Sequence, residues 1–186
     1  MTTVVSDELI AERRRLGLDG RDEVWDGVYH VVPPASGEHQ RIEARLLRTL
    51  GPLADAAGLE LQPETGLFDR ERPLERDYRV PDLIAFQEEL RIPAGVSGPA
   101  ELVIEIRSPG DDSLLKIPYY SRLGVGELVV VERDTKQVRR WVAGEAGLVE
   151  VEPGDGGWHA LRALPVRLRG VAGGLEVSWA AGSTTI

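Results

Sequence analysis

The 186-residue sequence contains no cysteine. Disulfides, thiolate metal sites and cysteine nucleophiles are excluded with it, and a reducing, cytoplasmic setting becomes the default expectation. Lysine is almost absent as well: Lys116 and Lys136 are the only two among 22 basic residues. The three histidines, His30, His39 and His159, are scattered and form no His-Glu-x-x-His pair, which argues against a zinc enzyme. No Gly-rich phosphate loop, no Gly-x-Gly-x-x-Gly opening a helix and no Gly-x-Ser-x-Gly elbow occurs. No apolar run approaches the roughly 18–20 residues of a membrane span. The opening MTTVVSDELIAERRR lacks the basic-then-apolar order of a signal peptide.

What is present is ordinary for a globular protein, with 42% hydrophobic and 28% charged residues. The length suits one domain over 1–186, residues 1–20 forming an N-terminal helical extension. Acidic residues outnumber basic ones 31 to 22, a net charge of −9. That balance argues against a surface built for long-range attraction to nucleic acid.

Ser6 before Asp7 and Glu8 starts a short capped helix that runs to about Gly17. EVWDGVYHVV (23–32) reads as a hairpin turning at Asp26-Gly27. In residues 37–58 the spacing of Ile42, Leu46, Leu50 and Leu53 predicts a helix, with a strand following at 59–61. Residues 63–79 are polar and read as a hairpin or loop. RVPDLIAF is a short strand, 93–99 a Gly/Pro-rich loop, and ELVIEIRS a nearly continuous apolar strand. SPGDDSLLKIPYYSRLGV reads as a turn and helix, GELVVVER as a buried strand, and 135–179 as short strands separated by Gly turns. The order predicts an α/β (α+β) domain with a central mixed β-sheet flanked by helices.

Glu105 stands inside Leu102-Val103-Ile104-Glu105-Ile106, where a central strand should be apolar on both faces. A carboxylate there needs a partner, either one of the many arginines or a metal ion. Asp82 follows Pro81 at the mouth of Leu83–Phe86, a place where Pro-Asp is also ordinary turn chemistry. Two short strands carrying one acid each could hold both at one sheet edge, the oxygen-rich setting a hard cation such as Mg²⁺ requires. Lys116 follows Glu105 by eleven residues and can return over the strand end to steady a phosphate or act on a water; alternatively it forms a surface pair with Asp112. His39 and Glu43 continue the helix stripe of Leu46 and Leu50, so they either border a polar site or form a solvated first turn with Glu43 on an arginine. His30 and His159 have no partner pattern and read as structural or exposed.

In order the chain carries Trp25-Asp26-Gly27, Gly37-x-His39, Val80-Pro81-Asp82-Leu83, Val103-Ile104-Glu105-Ile106-Arg107-Ser108-Pro109, and Lys116…Tyr120…Gly124-Val125. This series, over roughly residues 20–178, resembles the Uma-two family of restriction-endonuclease-like proteins, a branch of the PD-(D/E)XK nucleases. The resemblance implies a restriction-endonuclease-like fold and an Mg²⁺- or Mn²⁺-dependent endonuclease acting on DNA. It further implies Asp82, Glu105 and the Ile106 carbonyl as metal ligands, Lys116 as the site lysine, His39 as a nearby site residue and Tyr120 as packing. Three positions depart from the pattern, one of them Glu132, which stands where an Asp would end the strand. Arg107 stands where the superfamily lysine would be, and Pro118 falls inside the proposed helix, where it should kink or restart it. Arg107, Pro118 and the −9 charge keep open a second reading, a nuclease fold that no longer cuts and serves as a binding or regulatory module. A homodimer is expected on general grounds, and a third reading, a purely structural homodimer, would pair the strand edge Gln137–Ala143 between chains.

Overall fold

The computed structural model describes residues 6–73 and 76–186. The first five residues of the expected extension and two of the polar 63–79 segment lie outside them. Helix α1 (Asp7–Arg15) is capped by Ser6, with acids in its first turn and arginines in its last, as the helix dipole favours. It buries no side chain of its own and is tied down by Arg13, which donates to Asp22 at 2.6 and 2.8 Å. Strands β1 (Glu23–Trp25) and β2 (Val28–His30) form the expected hairpin. Asp26 and Gly27 both take positive φ, 48° and 86°, as a type I′ turn requires.

Helix α2 spans Gly37–Ala56, and the Ser36 hydroxyl accepts the His39 N–H at its start. Strands β3 (Glu60–Pro63), β4 (Leu67–Phe68), β5 (Tyr78–Arg79), β6 (Leu83–Phe86), β7 (Arg91–Ile92), β8 (Gly95–Ser97) and β9 (Leu102–Arg107) follow. A 3₁₀ turn at Ser113–Lys116 then leads into α3 (Ile117–Arg122). The remainder is β10 (Glu127–Glu132), β11 (Val138–Gly144), β12 (Gly147–Val151), β13 (His159–Ala160), β14 (Val166–Val171), β15 (Gly174–Trp179) and β16 (Gly182–Thr185).

The central sheet is mixed, with order β12-β11-β10-β9-β6-β3 and a single parallel pair, β9 with β10. A parallel pair needs a crossover, and the 3₁₀ turn with α3 supplies it. Strand alternation divides the core. On one face Leu83, Ala85, Leu102, Ile104 and Ile106 pack against the α2 stripe of Ile42, Leu46, Leu50 and Ala54 and against Leu168, Leu175 and Val177 of the C-terminal sheet β13-β14-β15-β16. On the other face Ile84, Val103, Leu128 and Val130 meet Tyr119 and Tyr120 of α3 and Leu67 and Val96 of the sheet β2-β1-β5-β4-β8-β7. No helix among the described residues is long and apolar enough to cross a membrane.

Pro118 restarts the helix as expected: the 3₁₀ turn ends at Lys116 and α3 begins at Ile117, with Pro118 in its first turn, where no N–H is required of it. Other expectations need correction. The loop expected at 93–99 is largely the hairpin β7–β8. Its Gly95 has φ +146°, and a Cβ there would fall 2.3 Å from the Gly66 carbonyl oxygen, so the close approach of two backbones hides the strand signal. Residues 135–179 do carry short strands, β11 to β15, and β16 follows beyond that range. The segment Gln137–Ala143 is not an edge. Its strand β11 is paired on both sides, by β10 and β12, so it cannot join two chains by edge pairing.

Leu46 is fully buried between α2 and the sheet. Leu46→Ala is expected to lower the unfolding free energy by about 3 kcal/mol in urea titrations, because the cavity cannot close around a rigid helix–sheet contact. A loss below about 1 kcal/mol would show that this contact is loose.

Candidate functional site

The antiparallel register of β6 with β9 pairs Leu83 with Ile104. One step further, it brings Asp82 opposite Glu105 at the sheet end, as the sequence suggested. Both acids are buried, Asp82 at 5% and Glu105 at 2% exposure. They line a cleft of about 530 Å³ together with His39, Ile106, Lys116, Arg21 and Glu23.

The two acids have different partners. Glu105 alternates with Ile104 and Ile106 and so faces α3. Its Oε1 accepts from the Tyr120 hydroxyl at 2.5 Å and lies 3.1 Å from Lys116 Nζ. Its partner is therefore the lysine and not an arginine. Burial raises the Glu105 pKa, opposed by the Lys116 charge. Lys116 is held a second time, by Glu23 at 2.8 Å. Burial works against the ammonium, but Glu105 and Glu23 outweigh it and raise the Lys116 pKa above the usual lysine value. Among the described residues Lys116 forms no pair with Asp112, because the 3₁₀ turn aims it inward.

Asp82 faces α2. Its Oδ2 accepts the Ile106 N–H at 2.6 Å, and its Oδ1 receives His39 Nε2 at 2.9 Å and Arg21 Nη2 at 3.2 Å. Ile106 meets Asp82 through its amide N–H. His39 and Glu43 are not a solvated turn, since they are 6% and 5% exposed. Burial opposes charge on His39, yet its hydrogen bond to Asp82 leaves the pKa raised. Glu43 accepts from Gln40 at 3.1 Å, and burial followed by the charges of Asp82 and Glu64 pushes its pKa to about 7. One ligand atom each from His39, Glu43 and Asp82 fall within 4.8 Å of one another, a group able to hold a metal ion.

Glu23 is the residue that sequence reasoning missed. It is 2% exposed, and its carboxylate accepts from Lys116, from the Val80 N–H at 2.8 Å and from Trp25 Nε1 at 2.7 Å. The available signal was a charged residue heading a hairpin strand beside Val24, whose inward face could have been tested for burial. His30 was read as structural or exposed; it lines the cleft, its ring 4.4 Å from that of Trp25. Arg107 pairs with Glu132 at 3.0 Å and lies 3.8 Å from Asp111. Lys136 bonds Glu38 at 2.7 Å and the Arg133 carbonyl, which makes it a structural tie.

At one end of the mixed sheet, acids from two adjacent strand ends meet a lysine from the 3₁₀ turn that leads into α3. A crystal structure of "a putative nuclease belonging to DUF820" from Anabaena variabilis matches with TM-score 0.56 and 16% identity, covering 72% of this chain and 78% of that one. The profile of the Uma2 family, described as "putative restriction endonuclease", matches residues 11–175, and the chain belongs to that family. No curated protein matches the chain.

The Glu43 shift fixes a pH dependence for the metal-free protein. Its folded pKa of about 7 exceeds the ordinary 4.5, so its stabilising contribution is complete below about pH 4.5 and is lost as pH rises towards 7. With a chelator present, the unfolding free energy from urea titrations is expected to fall over that window, and Glu43→Gln to flatten part of the fall. An unchanged slope in the variant would place the Glu43 pKa at its ordinary value.

Proposed function

We propose that the chain is a divalent-metal-dependent endonuclease that hydrolyses DNA phosphodiester bonds in this cleft. The observation that carries the reading is the convergence of Asp82, Glu105 and Lys116 on one cleft, with His39 lining it from α2 and Glu43 close to Asp82 behind it.

The donor chemistry fits a cation. Asp82 and Glu105 would hold it, with the Ile106 carbonyl as a third oxygen, and Glu43 and His39 stand on the far side of Asp82. Carboxylate oxygens suit Mg²⁺ or Mn²⁺, and the imidazole favours Mn²⁺ over Mg²⁺. Burial disfavours the charged forms of Glu43 and Glu105, a cost that a cation between carboxylates offsets. His39 can ligate through Nε2 only after giving up the proton now directed at Asp82. When bound, the metal polarises a phosphoryl oxygen and lowers the pKa of its water.

Lys116 keeps its proton at neutral pH, so it is a cation for the phosphate and an orienting donor to water, and does not act as a base. Glu23 and Glu105 fix the direction of its ammonium. Tyr120 holds Glu105 in one rotamer through its hydroxyl. The absence of cysteine agrees with a cytoplasmic setting.

Plasmid and oligonucleotide duplexes with Mg²⁺ or Mn²⁺ test the reading. Wild type is expected to cut, Asp82→Ala to fall to background, and Lys116→Ala to lose on the order of 100-fold in rate. Wild type indistinguishable from Asp82→Ala rejects catalysis. Arg107 at the superfamily lysine position, committed to Glu132, favours the alternative of a non-cutting binding or regulatory module. Calorimetry with Mn²⁺ separates the two: metal affinity that drops in Glu105→Gln without any cutting in wild type supports the module.

A further inference from the structure

One wall of the cleft carries aromatic chemistry that hydrolysis does not use. The β1–β2 register pairs Glu23 with His30 and Trp25 with Val28, so Trp25 and His30 are diagonal neighbours on the face that also carries Glu23. Their rings are stacked at 4.4 Å with 22° between planes. The stack continues inward: the Arg79 guanidinium lies 4.6 Å from the Trp25 ring and 4.1 Å from the Tyr119 ring. His30 on β2 and Arg79 on β5 flank Trp25 on β1, so the layers run Tyr119, Arg79, Trp25, His30. Arg79 is 4% exposed and Tyr119 2%, whereas His30 is partly exposed and lines the cleft. Among the described residues no other aromatic ring stacks on His30. The stack is anchored, since Trp25 Nε1 donates to Glu23 at 2.7 Å and Arg79 donates to Asp77 at 2.9 Å.

The geometry points to His30 as a stacking platform for an unpaired nucleobase of the DNA strand whose phosphate meets Lys116. An inner face backed by three fixed layers and an outer face turned to the cleft is the arrangement that receives a flat π-system, because the ring is already ordered before the base arrives. The occupant follows from position. His30 is the cross-strand partner of Glu23, and Glu23 grips Lys116, so a base on His30 has its backbone beside the ammonium. A base inside an intact duplex has both faces covered by its neighbours and cannot use such a platform. The substrate class is therefore DNA with at least one unstacked base, such as a single strand or frayed end. This inference rests on the nucleic-acid reading of the cleft and does not require that the protein cut.

Fluorescence anisotropy with the full chain, in a chelator so that no metal-dependent cleavage occurs, tests it with a labelled single-stranded oligothymidylate and a blunt duplex. Wild type is expected to bind the single strand more tightly than the duplex. His30→Ala should weaken single-strand binding about tenfold, and His30→Phe, which keeps a flat ring, should stay within about threefold of wild type. No binding of the single strand by wild type, or equal affinity of wild type and a folded His30→Ala, overturns the platform. So does a His30→Phe variant as weak as His30→Ala. Failure is separable from failure of the nuclease reading. A protein that cuts duplex but ignores His30→Ala loses only the platform, and one that never cuts but binds through His30 keeps it.

Discussion

The architecture turns on a carboxylate set in the middle of an apolar strand. Glu105 cannot be solvated where β9 places it, and an unpaired charge in that position would cost several kcal/mol. Its compensation recruits three other parts of the chain. Tyr120 comes from α3, Lys116 from the turn before it, and Glu23 from the N-terminal hairpin through its hold on the lysine. The crossover between β9 and β10 is consequently attached to the sheet at its polar end, and the hairpin sheet is attached to the crossover. Asp82, directly opposite Glu105, does the same for the α2 side by joining the β9 backbone to α2 through His39.

The sequence disclosed what depends on local pattern. The α2 stripe, the Asp-Gly hairpin and the apolar runs of β6, β9 and β10 have their expected places because periodicity and turn chemistry decide them. The approach of Asp82 and Glu105 was legible because each acid belongs with a short apolar strand, one just before its start and one within it. What remained hidden depends on non-local contact. Gly66 and Gly95 permit two backbones to meet, and nothing in either residue's neighbourhood announces that. Glu23 looks like any polar hairpin residue until Lys116 arrives from 93 positions away. The histidines show the same limit: His39 is found through its helix stripe, while His30 gains meaning only from Trp25 and the layers beneath it.

Net charge is a poor guide to this cleft. The −9 total includes buried acids that are already engaged, such as Asp77, which meets Arg72, Arg79 and Arg122, and Asp22, which meets Arg13. Those pairs support the hairpin sheet and present little field to solvent. At the cleft itself cations and acids are interleaved, with Arg21 and His39 on Asp82 and Lys116 on Glu105. A polyanion at the cleft would meet these local positive groups within an acidic molecule, and its attraction would be short in range.

The scarcity of lysine has a chemical consequence. Lys136 is 8% exposed and bound at both a carboxylate and a carbonyl, and the Lys116 side chain is 12% exposed between two acids. Arginine supplies every other strongly basic side chain, and a guanidinium is not acylated under conditions that modify amines. Reagents that ordinarily decorate a protein's outside would find both side-chain amines shielded. Of the two, Lys116 borders the cleft, so slow amine modification would act as a chemical probe of the cleft's occupancy.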